Sequence, residues 1–172
     1  MNLQSNDFEL FGVPQRFAQD RAALDARWKD LQREAHPDRF AAQGPAAQRL
    51  AMQWSVRINE AYQRLKDPLK RAAYLCELQG APIAAHSNTA MPAEFLMEQM
   101  EWREALEEAS GEDELEVIAQ RLAGSRRQLL ERIGQLLDEE HDAAGAAQQV
   151  RALMFLERFG EDIEGRLAQL GQ

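Results

Sequence analysis

A chain of 172 residues is long enough to bury a real core, as one medium domain or two small ones. It is 45% hydrophobic and 28% charged, an ordinary globular composition, and lacks any apolar run of the ~18 residues a membrane span requires. Its formal net charge is −9, and its single cysteine, Cys76, excludes an internal disulfide and cannot by itself hold zinc or an iron–sulfur cluster.

The first element is the short apolar segment 7–14, "DFELFGVP", stopped by Gly12 and Pro14. A helix follows with Asp20 as its N-cap. Its apolar positions, Leu24, Trp28, Leu31 and Ala35, fall at i, i+4, i+7 and i+11, which is one face. Pro37 should end it near Ala35, because the residue before a proline is pushed out of the helical region. A connection over 36–44 leads to a second helix from about Pro45. Leu50, Trp54, Ile58, Ala61 and Leu65 form its expected buried stripe, and "KDP" (66–68) breaks it. A shorter helix then runs to Gly80. The two long helices make an antiparallel hairpin, with Leu10, Phe11 and segment 69–78 covering its seam.

Segment 79–91, rich in Gly, Pro, Ser and Asn, is expected to be a linker between a module at 1–78 and another at 92–172. The second module reads as three helices. Pro92 starts the first, which ends near Ser110-Gly111. "SGED" offers a capping box, Ser110 with Asp113, for the second. That helix carries Leu115, Ile118, Leu122, Leu129, Ile133 and Leu136, and should run for about 30 residues. Gly124 and Gly134 interrupt it, each costing ~1 kcal/mol relative to Ala, and the spacing gives no reason for them. "AAGAA" (143–147) is expected to be a small-residue turn. The last helix places Leu153, Leu156, Gly160, Ile163, Leu167 and Leu170 on one stripe. The fold class is therefore all-α, a helical hairpin followed by an antiparallel three-helix bundle.

Charge divides along the same boundary. Residues 1–80 carry 12 Lys/Arg against 10 Asp/Glu, and residues 81–172 carry 8 against 19. Two modules with different partners are implied, and the acidic half is unsuited to nucleic acid. The opening "MNLQSNDFEL" has neither the basic and apolar regions of a signal peptide nor the Arg-rich character of a transit peptide, so a cytoplasmic location is expected.

Catalysis is not expected, and no catalytic residue, metal ligand set or cofactor is assigned. His36 and Asp38 could pair as a base and its orienting carboxylate, but no nucleophile elbow, phosphate loop, HExxH or CxxC accompanies them. His36, His86 and His141 lack ligand-like spacing, and the latter two read as solvated. Cys76, mid-helix among apolar neighbours, reads as a buried structural thiol. In "HPDRF" (36–40), Pro37 and Asp38 are explained by a turn, whereas His36 is not. An imidazole at the tip of a hairpin beside Arg33 and Arg39, with Lys29 one turn below Arg33, reads as a contact surface for an acidic groove on another protein.

"DFELFGVP", a helix, "HPDRF", and a long helix ending "INEAYQRLKDPLKRAAYL" together resemble a J-domain. The resemblance implies stimulation of ATP hydrolysis in a DnaK-type chaperone through the His-Pro-Asp loop. The chain departs from that pattern at Ala35, where J-domains commonly carry an aromatic. Nearly the whole chain, including the Phe of "HPDRF" and the acidic "FLMEQMEWREALEE" (95–108), resembles the HscB family of iron–sulfur co-chaperones.

On the helix from Pro92, Phe95, Trp102 and Leu106 form a core stripe. Leu96, Met97 and Met100 fall off it, beside Glu101, Glu104 and Glu108, and Phe155 falls off the stripe of the last helix. An apolar patch with two pliable Met side chains and an acidic rim suits protein binding, although a small bundle has wide apolar faces that would also absorb such residues. The resemblance implies that these seven positions bind an IscU-like scaffold protein. It also implies that His36, Pro37, Asp38, Lys29, Arg33 and Arg39 meet an HscA-like chaperone. A monomer is expected. The alternatives are a generic J-domain co-chaperone with another client and, with almost no support, an enzyme.

Overall fold

The computed structural model describes residues 2–83 and 91–171. His86 and segment 84–90 of the expected linker lie outside the described residues. All regular structure among the described residues is helical, and the chain divides into two compact units, Met1–Leu75 and Cys76–Gln172.

The first unit opens with α1 (Asp7–Phe11), capped by Asn6 and closed by Gly12 at φ 65°, a left-handed conformation natural to glycine. Asp7 anchors it. This fully buried carboxylate meets Arg64 through two hydrogen bonds (2.6 and 2.9 Å) and sits 2.8 Å from Arg57 Nη1. Its backbone amide donates to the Tyr74 hydroxyl. α2 (Arg21–Ala35) has Asp20 as its N-cap, as expected, and ends at the residue predicted from Pro37. α3 (Pro45–Lys66) begins after Gly44, whose φ of 99° only glycine adopts without strain. α4 (Pro68–Leu78) follows the Asp67 break.

The seam between α2 and α3 is apolar in part and polar in part. Leu24, Leu31, Ile58, Ala61 and Leu65 are buried with Phe8, Leu10 and Phe11. Alongside them Trp28 stacks on Tyr62 and donates to Asn59, while Gln32 joins Asn59 and Ser55. Leu50 does not follow the predicted stripe. It is half exposed, because the chain near the start of α3 faces an open cleft rather than a packed neighbour, and Ala51 is buried in its place.

The second unit contains α5 (Ala93–Glu108), α6 (Glu112–Gly134) and α7 (Ala143–Leu170). Its core joins Phe95 and Trp102 of α5, Ile118 of α6, and Ala152, Leu156, Phe159 and Ile163 of α7. Three local expectations are corrected. The Ser110–Asp113 capping box does not form: Gly111 is the N-cap without a side-chain bond, and Ser110 instead donates its amide to Glu114. "AAGAA" is the first turn of α7, capped by Asp142, and the reversal occurs just before it at His141, φ 53°. α6 ends in a π-helical turn, Gln135–Glu139. Leu136 and Leu137 within it are both buried. Gly134 immediately precedes that turn. Gly160 has a separate reason: a Cβ there would come within 3.1 Å of Leu122 Cδ2, so α6 and α7 approach closely at this point. Gly124 has no such crowding.

Candidate functional site

Pro37 stops α2, but residues 37–43 do not form an open loop. They wind into a 3-10 segment, Pro37–Gln43. His36 caps it, its Nδ1 accepting a 3.2 Å hydrogen bond from the Asp38 amide. The expectation that His36 has no structural part in the turn is thereby corrected. The cap also fixes the chemistry of the ring. With Nδ1 the acceptor, a neutral imidazole carries its proton on Nε2, so its free edge offers an N–H donor.

The His36 side chain is 58% exposed and that of Asp38 92%. Arg39 Nη1 donates to the Arg33 carbonyl, tying the segment to the last turn of α2, where cations oppose the negative end of the helix dipole. Arg33 pairs loosely with Asp30 at 3.6 Å, and Lys29 lies exposed on the same helix. All six residues predicted for chaperone contact thus lie on α2, on the 3-10 segment that follows it, or, for His36, between the two.

Beside this tip lies a cleft of about 370 Å³, lined by Leu31, Ala35, Phe40, Ala47, Leu50 and Trp54 among others. The small side chain of Ala35 leaves this space open at the base of the turn. The sequence signalled the small residue but not the cleft.

In the second unit, Leu96 (49% exposed), Met97 (69%) and Met100 (66%) stand out on α5. Glu101, Glu104 and Glu108 are exposed on the same helix. Phe155 behaves differently. It is half-buried, edge-on to Phe95 at 5.7 Å and stacked near Phe159 at 6.0 Å, so it borders the core rather than standing free of it. Leu96 and Phe155 line one groove between α5 and α7, with Met91, Arg103 and Leu106. At about 100° of rotation per residue, Met97, Glu101, Glu104 and Glu108 point to the outer side of α5. The predicted set therefore comprises an outward face and one groove wall. Sequence reasoning missed the groove arginines, which only the packing of α7 against α5 brings there.

Cys76 is buried, and that burial pushes its thiol up to about 11, although Arg151 pulls the other way. It is no nucleophile at neutral pH. Arg151, itself buried, donates to the carbonyls of Ile83 and Pro82 and fastens that stretch to α7. Among the described residues no group of His, Cys, Asp and Glu is placed to hold a metal, and no helix is long and apolar enough to cross a membrane.

A family model described as the HSCB C-terminal oligomerisation domain matches residues 91–164. The co-chaperone protein HscB homolog of Burkholderia multivorans is 49% identical over 173 residues, spanning 99% of this chain and 98% of its own length. Among solved structures, chaperone HscB from Vibrio cholerae superposes with a TM-score of 0.82 at 37% identity, over 96% of this chain and 99% of that one. The human co-chaperone protein HscB gives 0.89 at 26% identity, over 96% and 84%.

Proposed function

Because the chain belongs to the HscB co-chaperone family, we propose that it stimulates ATP hydrolysis by an HscA-like, DnaK-type chaperone and delivers an IscU-like iron–sulfur scaffold protein to it. The single observation that carries this reading is the presentation of His36. The imidazole is held by its Nδ1, exposed at the end of α2, and flanked by Arg33 and Arg39.

The J-domain, about 1–78, docks on the ATP-bound chaperone. Lys29, Arg33 and Arg39 attract an acidic groove, and His36, Pro37 and Asp38 make the contact that matters for hydrolysis. This chain supplies no chemistry to ATP. It binds the hydrolysis-competent conformation of its partner better than the alternative, and so raises its population. The bundle, 92–172, holds the scaffold protein through Leu96, Met97, Met100, Glu101, Glu104, Glu108 and Phe155. Two modest contacts on one chain reinforce each other by raising effective concentration. The protein acts in the cytoplasm and as a monomer in this reading. The matched family model is described as an oligomerisation domain, so sedimentation equilibrium is the measurement that decides the last point.

Steady-state ATP hydrolysis by the HscA-like chaperone, with scaffold protein present, tests the proposal. The parent protein should stimulate strongly, and His36→Gln should not, while its circular dichroism and its affinity for the scaffold remain those of the parent. Normal stimulation by His36→Gln would remove the assignment of the loop. Stimulation by the parent without affinity for the scaffold would instead favour a J-protein with another client.

A further inference from the structure

Residues 81–172 carry 8 basic against 19 acidic side chains, yet three of those eight, Arg103, Arg158 and Arg166, line a single groove. The groove lies between α5 and α7, has a volume of about 730 Å³, and is shared with the apolar Leu96, Leu106 and Phe155. Most other arginines of this unit are engaged internally: Arg121 lies over Trp102, Arg126 pairs with Glu157, Arg132 with Glu140, and Arg151 holds Ile83. The groove arginines are held differently. Arg103 lies over the Phe155 ring at 5.5 Å, and Arg166 donates to the Leu106 carbonyl, so both guanidinium groups are placed but keep unused donors. Arg158 is exposed and makes no ion pair, hydrogen bond or ring contact among the described residues. Glu107 and Asp162 also line the groove, but neither forms an ion pair with an arginine among the described residues.

We propose that this groove receives an acidic, apolar-tipped segment of the scaffold protein, whose carboxylate meets Arg158, flanked by Arg103 and Arg166, while its apolar side chain packs between Leu96 and Phe155. The inference rests on the reading that the bundle binds that scaffold. Charge complementarity selects the occupant. The outward face of α5, with Glu101, Glu104 and Glu108, repels an acidic segment, and the groove beside it attracts one. A partner with both basic and acidic surface is therefore steered into one register. A guanidinium suits this task because its planar fork can take a carboxylate with two parallel bonds.

Titration calorimetry of the full chain with the IscU-like scaffold protein, at low and at high salt, tests the proposal. Arg158→Glu should weaken binding by roughly tenfold at low salt, with the difference shrinking at high salt as screening rises. Arg158→Lys, which keeps the charge but loses the fork, should fall between the parent and Arg158→Glu. Arg158 is exposed and unpartnered, so neither variant should alter thermal unfolding. If Leu96→Ala/Met97→Ala abolishes binding while Arg158→Glu and Arg103→Glu leave it unchanged, the groove assignment is wrong and the scaffold reading stands. If the parent protein itself does not bind the scaffold, both fall. If Arg158→Glu leaves scaffold binding intact but dissociates an oligomer of this chain, the groove is a self-association surface and the proposal is overturned.

Discussion

Leu96→Ala/Met97→Ala is the perturbation that separates a binding face from a core face. Fully burying a Leu or Met side chain is worth about 1.5–3 kcal/mol. Leu96 is 49% exposed and Met97 69%, so a partner can cover about half of the first and two thirds of the second. Alanine retains one methyl of each. The double variant should therefore lose ~1.5–2.5 kcal/mol of scaffold binding, which is roughly a 10- to 70-fold rise in Kd. The same exposure predicts little effect on folding, since surface substitutions usually stay within about 0.5 kcal/mol. Calorimetric titration with the scaffold protein gives the first quantity, and urea unfolding of the free chain gives the second. ATPase stimulation measured without scaffold should be unchanged. An unaltered Kd would refute the reasoning. So would a large drop in the urea midpoint, because it would mean these side chains pack within the free protein.

Asp7→Ala should cost about 3 kcal/mol or more in urea unfolding, because it leaves Arg57, whose side chain is 16% exposed, and Arg64 without their buried carboxylate. A loss below about 1 kcal/mol would mean water replaces that carboxylate. The Tyr62 hydroxyl, and then Arg21, hold the Asp25 carboxyl below its ordinary 3.8. A depressed folded-state value means the contribution is present above 3.8 and lost as pH falls through the folded value, so Asp25→Asn should make the acid limb of the stability curve less steep. Cys76, raised to about 11, should resist a thiol reagent at pH 8 in the native protein and react on denaturation. Gly160→Val should destabilise the bundle by about 1–3 kcal/mol, measured by thermal unfolding, since even a Cβ would meet Leu122 at 3.1 Å.

Periodicity located these helices because their apolar stripes are long. Leu24 and Leu31 on α2, and Ile58, Ala61 and Leu65 on α3, are buried as their spacing implies. The same reasoning failed at Leu50, because one stripe can outrun the surface it packs on, and only the facing helix decides where burial stops. "AAGAA" was misread because Ala-rich sequence suits a helix start as well as a turn, and the deciding signal was Asp142 as N-cap. The π-helical turn was invisible to a fixed 3.6-residue period, because a single widened turn leaves the overall apolar spacing of the helix almost unchanged. The turn at 36–44 was legible from Pro37, but the capping bond of His36 was not, since imidazole is a far rarer cap than Asn or Ser. The groove arginines lie on two helices far apart in sequence, and no local pattern could bring them together.

The residues assigned to partners contribute little to holding either unit together. The first unit is fastened by Asp7 with Arg57 and Arg64 and by the apolar seam around Phe8, Leu31, Ile58 and Leu65. Lys29, Arg33, Asp38 and Arg39 sit outside that network, exposed, and could change without opening it. His36 is the exception, and the exception is informative. Its cap is a single exposed hydrogen bond, worth ~1 kcal/mol, which asparagine could supply at least as well. A histidine there gains nothing further for the fold, but it holds an N–H donor in one direction at the end of a rigid helix. The bundle repeats the arrangement. Phe95, Trp102, Leu156 and Phe159 form its core, whereas Leu96, Met97 and Met100 lie outside it with about half or more of each residue exposed. Leaving such side chains in water is unfavourable for a free protein, and burial against a partner recovers that free energy. Variants on these faces should therefore separate binding from folding cleanly, and Phe155, which touches both the core and the groove, is the one position where the two should fail together.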